Sequence, residues 1–329
     1  MALTPTLATL LRGRLTVPVI ASPLFIISNP ALVIAQCTAG VVGSFPALNA
    51  RPAEALADWI MQIQDALAAW DAHNPGRPAA PFAVNQIVHR SNARLEHDME
   101  VCVRHRVPMV ITSLGARPEV NEAVHSYGGV VLHDIINNTF ARKAIEKGAD
   151  GLVAVAAGAG GHAGTLSPFA LTQEIRAWFD GPVALSGAIA TGDAVLAAQA
   201  MGADLGYVGS AFIATEEANA NAAYKQAIVD GGADSIIYTN LVTGVHGNYL
   251  RPSLVAAGLD PDNLPASDPS QMNFGADKPK AWKDIWGSGQ GIGAVQAVVP
   301  TADLVARMVQ EYTAARVRLT LPQSELAVV

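Results

Sequence analysis

Between residue 17 and about residue 213, short β-branched and apolar runs alternate with longer Ala-rich stretches whose apolar positions recur at helical spacing. The runs fall at residues 17–21, 41–45, 82–85, 109–112, 130–133, 151–155, 183–186 and 205–208. The stretches between them include 53–70, 94–106, 119–126, 138–147, 171–179 and 192–201, and several end in glycine just before the next run, as a helix stop does. Repeated βα units numbering about eight predict an α/β fold, a (β/α)8 TIM barrel.

After Phe212 the rhythm changes. A helix-like stretch at 216–230 precedes a segment at 238–252, and then a region rich in Pro, Asp and Ser at 260–280. This reads as a C-terminal cap or insertion that crosses the barrel mouth. The predicted division is a barrel from residues 1–215 and 285–329 and a cap from 216–284. An amphipathic helix at 300–318 and a frayed tail at 321–329 close the chain.

Composition narrows the function classes. At 329 residues and 50% hydrophobic content, the chain can bury the core of one barrel with a cap. A net charge of −7, with no dense Lys and Arg run, offers no phosphate-neutralising face, so no nucleic-acid partner is expected. No apolar run reaches the roughly 18 residues that span a bilayer, and Met1-Ala2-Leu3-Thr4-Pro5 lacks a leader pattern. The reading is a soluble, cytoplasmic protein without a membrane partner. Cys37 and Cys102 have no CxxC partner and read as reduced thiols. No His, Cys, Asp or Glu cluster has metal-ligand spacing, so no metal is expected.

The candidate chemistry lies in the turns after the predicted strands. Ser186-Gly187-Ala188 follows the seventh run and Gly209-Ser210 the eighth. In barrels these two loops often hold a phosphate on backbone N–H groups, which glycine lets approach closely. No GxGxxG follows the first strand, no GxxxxGK[ST] occurs, and there is no GxSxG elbow. Gly160-Gly161-His162-Ala163-Gly164 follows the sixth run. A histidine among such small residues has little to pack against and is the candidate catalytic residue, able to take a proton or share a hydrogen bond near neutral pH. Asn85 and His133, at other strand ends, are either readers of a ligand's polar edge or loop caps. Ala21-Ser22-Pro23-Leu24 suits backbone contact with a flat ring, and Gly289-Gln290 lies in a late glycine-rich loop that either closes on the ligand or connects.

These motifs, above all the Gly160–Gly164 loop and the paired turns at Ser186-Gly187-Ala188 and Val208-Gly209-Ser210, give the chain a marked likeness to known sequences. It resembles the nitronate monooxygenase family, formerly called 2-nitropropane dioxygenases, over nearly its whole length. The resemblance implies an FMN-dependent oxidoreductase that turns alkyl nitronates and O2 into carbonyl compounds and nitrite, with His162 at the flavin. The implied cofactor-binding residues are Ala21, Ser22, Pro23, Leu24, Asn85, His133, Gly160, Gly161, Ser186, Gly187, Ala188, Gly209, Ser210, Gly289 and Gln290. FMN-dependent enoyl reductases and NADH:quinone reductases share the GGHxG element, so an NAD(P)H-dependent FMN reductase is the alternative. A flavin protein without turnover, or a phosphate-sugar lyase barrel, is a third reading. The partners implied are a small electron donor and O2, and a homodimer is left open. Two departures stand out: Gly158 and Ala159 occupy a place that is acidic in many relatives, and Asp134 replaces a lysine found in some. Its carboxylate is expected to point away from an anionic cofactor.

Overall fold

All eight predicted runs form strands in the computed structural model, which describes residues 5–265 and 284–320. They are β1 (Val19–Ala21), β2 (Gly43–Pro46), β3 (Phe82–Ile87), β4 (Met109–Ser113), β5 (Val130–Ile135), β6 (Gly151–Val155), β8 (Val183–Ser186) and β9 (Leu205–Val208). A two-residue strand, β7 (Gly161–His162), lies between the sixth and seventh of them in the chain. The stretch 266–283 and the tail 321–329, together with residues 1–4, lie outside the described residues.

The eight strands pair in parallel in the order β1-β9-β8-β6-β5-β4-β3-β2. The ring closes where Ala21 N–H donates to the Val42 carbonyl at 2.8 Å and Val42 N–H to the Val19 carbonyl at 3.1 Å. Strand residues alternate between two environments, as the pleat requires. One set, including Ile20, Val42, Ile111, Leu132, Val153 and Tyr207, fills the barrel interior with Leu7 and Leu11 of α1 (Pro5–Leu11). The other set, including Val84, Val110, Val131, Leu152 and Leu185, faces the helices.

Several helices start where an asparagine or threonine caps them. Asn29, Asn137 and Thr191 accept from the N–H groups of Leu32, Phe140 and Ala194, starting α2 (Pro30–Ala39), α3 (Asn138–Glu146) and α4 (Gly192–Ala200). These caps fix where the loops after β1, β5 and β8 end. The C-terminal helix Thr301–Thr320 packs close to α4: Gly192 N–H donates to Glu311 at 2.8 Å, and a Cβ on Gly192 would strike the Met308 carbonyl oxygen.

After the barrel, the helix Ala222–Asp230 places Tyr224 and Ile228 in the same core as the barrel's helix layer. The chain then forms an antiparallel hairpin, β10 (Ile236–Thr239) with β11 (Gly247–Leu250). Strand β11 also pairs with β7, with Gly247 opposite His162 and Asn248 opposite Gly161. The hairpin is thus hydrogen-bonded directly to the histidine loop.

Candidate active site

The turns singled out in the sequence converge at the C-terminal end of the barrel. Gly158 O accepts from Ala188 N–H at 3.3 Å and from Gln290 N–H at 2.8 Å, which ties the loops after β6 and β8 to the glycine-rich loop. Ser210 Oγ accepts from Gly289 N–H at 2.8 Å. Gly160 fits against these groups only without a side chain, since a Cβ there would lie 2.7 Å from Gly289 N and 3.2 Å from Ser210 Oγ. Ser22 N–H donates to the Val208 carbonyl at 2.8 Å, which brings Ser22 and Leu24 beside Gly209. Ala21 presents only its backbone there, because its side chain packs among the helices.

Three N–H groups in these turns, those of Gly187, Gly209 and Ser210, have no acceptor among the described residues. Because Ser210 Oγ already accepts from Gly289, its own proton is available to a ligand. Half-buried donors of this kind, lined by glycine and alanine, fit an anionic phosphate. Gly187 is fixed by the backbone as well. Its φ is +135°, and a Cβ would meet the Ala157 carbonyl oxygen at 2.7 Å.

His162 sits half-buried under the hairpin. Its Nε2 lies 3.0 Å from Thr243 Oγ1, and burial pushes its pKa down to about 4, so the resting ring is neutral above that pH. Around it, Asn248 Nδ2 donates to the Ala159 carbonyl at 2.6 Å and Tyr238 Oη to the Ala163 carbonyl at 3.0 Å. The loop that carries the histidine is therefore held on both sides by the hairpin.

Strand β5 reverses two expectations. Val131 faces the helix layer and Leu132 the barrel interior, so His133 turns outward and Asp134 inward. His133 Nδ1 is 2.6 Å from Thr112 Oγ1, and burial together with the Lys147 ammonium pushes its pKa down to about 4. It is not brought to the mouth. Asp134, by contrast, receives hydrogen bonds from the Ser113 hydroxyl and Leu114 N–H, while Asn85 Nδ2 donates to Ser113 Oγ at 2.8 Å. Burial outweighs those bonds and raises the carboxyl to about 6. Burial, with the charge of Asp134, holds the nearby Tyr207 phenol well above its usual range. The sequence reading missed Ser113, Tyr207, Thr243 and Asn248 and turned Asp134 outward; for the three strand residues, counting parity from Ile111, Leu132 and Leu205 was the available signal.

A carboxyl raised in the folded state contributes stability that is complete below the unfolded value near 3.8 and is lost as pH rises through about 6. Asp134→Asn escapes that loss. Its stability relative to the parent is expected to rise between pH 4 and pH 7, by on the order of 2 kcal/mol. Thermal melts of both proteins across that range check it; a difference independent of pH would contradict the inward placement of the carboxyl.

Other candidates are less apt. Arg251 is held by both carboxylate oxygens of Asp262 at 2.9 Å and is not poised for an anionic substrate. A hollow of about 540 Å³ beside Arg106 and Tyr127 lies at the opposite end of the barrel, near α1. Cys37 and Cys102 are buried, which pushes both thiols up to about 12 and leaves them poor nucleophiles. Among the described residues no helix is long and apolar enough to cross a membrane.

Comparison with known proteins agrees with this architecture. The family defined as nitronate monooxygenase matches residues 9–311. A nitronate monooxygenase of Paraburkholderia phytofirmans is 28% identical over 89% of this chain and 92% of its own. Among solved structures, nitroalkane oxidase from Streptomyces ansochromogenes superposes with a TM-score of 0.78 at 22% identity, covering 95% of this chain and 99% of the other. FabK from Thermotoga maritima superposes with a TM-score of 0.75 at 20% identity, covering 97% and 99%. At such identities the two solved structures speak for the barrel fold alone.

Proposed function

The chain belongs to the nitronate monooxygenase family of flavin oxidoreductases, and from that membership we propose that it oxidises alkyl nitronates with O2, giving a carbonyl compound and nitrite. The observation that supports the reading is the loop of His162, whose Gly160 lies against Gly289 and Ser210 beside turns whose N–H donors have no acceptor among the described residues. The proposed cofactor is FMN. Its phosphate would lie on Ser186, Gly187, Ala188, Gly209 and Ser210, and its ring would extend past Ala21–Leu24 towards Asn85, Gly160, Gly161, Gly289 and Gln290. Bound there, the flavin supplies the capacity to take electrons from the nitronate and pass them to oxygen.

His162 supplies the polar contact. A neutral ring with a pKa near 4 is a weak base towards a neutral nitroalkane at working pH. A nitronate carries its negative charge already, and an anion beside the ring raises the ring's proton affinity. The imidazole thus takes up a proton as the anion docks and holds it by a charge-assisted hydrogen bond. The hairpin above the ring limits water around that pair and so strengthens it.

The reading is tested on the purified protein by identifying the released chromophore by mass spectrometry, and by following O2 uptake and nitrite with an alkyl nitronate and no nicotinamide. FMN with nitrite release is the expected result. A protein without flavin, or one that takes up no oxygen with nitronates, would remove it.

A further inference from the structure

The hairpin contributes a hydroxyl to the histidine, and its bonding decides which ring nitrogen carries a proton. Thr243 Oγ1 lies 3.0 Å from His162 Nε2, 3.1 Å from the Val245 carbonyl oxygen and 3.3 Å from Val245 N–H. A hydroxyl has one proton to give. Of these neighbours the Val245 carbonyl can only accept, whereas Val245 N–H can only donate and the imidazole can donate. All the contacts are satisfied together when Thr243 gives its proton to Val245 and accepts from the ring. That arrangement places a proton on Nε2 and leaves Nδ1 as the basic nitrogen.

We propose that Thr243 is a positioning residue that holds His162 as its Nε2–H tautomer, so that Nδ1 is the nitrogen that takes up a proton and meets the anionic substrate. This rests on the reading of His162 given above. Thr243 cannot serve the opposite tautomer without withdrawing its proton from the Val245 carbonyl, and it remains a good acceptor when the ring becomes a cation. The hydroxyl therefore favours the protonated ring that an anion requires. Because β11 pairs with β7 in fixed register, the ring and the hydroxyl are carried by one small sheet and keep their spacing.

The tautomer is read by nitrogen-detected NMR on protein labelled with 15N-histidine, with the His162 signals identified by their loss in His162→Gln. The parent and Thr243→Ser are expected to show a protonated Nε2 and an unprotonated Nδ1, and Thr243→Val a mixture of tautomers. In kinetics, Thr243→Val is expected to raise KM for a nitronate by roughly 10- to 100-fold with a smaller change in kcat, from loss of one hydrogen bond to a charged group. Thr243→Ser should restore the parent value. Flavin content and circular dichroism confirm that the valine variant is folded; should it not fold, the parent and serine tautomers still decide. A parent ring protonated on Nδ1, or a folded valine variant with unchanged tautomer and KM, would overturn the proposal. A protein with the expected tautomer but no activity on nitronates would instead remove the functional reading and leave the tautomer assignment standing.

Discussion

His162→Ala is expected to lower nitronate turnover by roughly 100- to 10,000-fold while the flavin stays bound, the range over which a positioned acid–base group acts. The separation of the two effects follows from how the residue is held. Strand β7 is fixed through its backbone, by pairing with β11 and by the bond from Ala163 N–H to the His246 carbonyl at 3.2 Å, and truncating the ring leaves that frame intact. The proposed phosphate donors belong to the turns after β8 and β9. Flavin absorbance should therefore match the parent while steady-state oxygen uptake falls. Turnover within a few-fold of the parent would take His162 out of the mechanism; loss of flavin would mean that the loop holds the cofactor rather than the substrate.

The second large effect is expected at Gly209. Its φ is −115°, which any residue adopts, and the nearest obstacle to a Cβ is Ser22 Oγ at 2.5 Å, the end of a side chain that can rotate away. Gly209→Val is therefore expected to fold and to fill the space between the ends of β1 and β9 where the phosphate is proposed to lie. Displacing two charge-assisted hydrogen bonds would weaken FMN binding by at least about 100-fold. The protein should purify colourless with the parent's circular dichroism, and added FMN should bind weakly in a fluorescence titration. Full flavin occupancy would contradict the phosphate site. The same substitution at Gly187 tests nothing about the ligand, because it strikes the Ala157 carbonyl and forces a φ of +135°. Glycine there serves the fold first.

The barrel was legible because its signals are local and repeated: eight apolar runs, helical spacing between them, and helix stops in glycine. The convergence of the turns at Gly160, Gly187, Gly209 and Gly289 was legible for a related reason, since small residues at strand ends leave few other roles. What the sequence hid depended on one residue of register. Ending the fourth and fifth runs at Thr112 and His133, rather than at Ser113 and Ile135, made His133 the residue at the mouth and left Asp134 outside it. Two more residues of strand expose the alternation that sends His133 to the helices and Asp134 inward. The hairpin's grip on His162 had no local signal at all. It joins residues 81 positions apart through a two-residue strand that begins with glycine, and only the folded chain sets Thr243 beside the ring.

The proposed function carries one central claim: the nitronate itself, and not a nicotinamide, is the electron donor. The most direct measurement is anaerobic stopped-flow mixing of the yellow protein with an alkyl nitronate and, separately, with NADH and NADPH, following the flavin absorbance. Rapid bleaching by the nitronate with slow or no bleaching by either nicotinamide is the predicted result. Fast bleaching by NADH or NADPH, with the nitronate inert, would contradict the claim and make the protein a reductase.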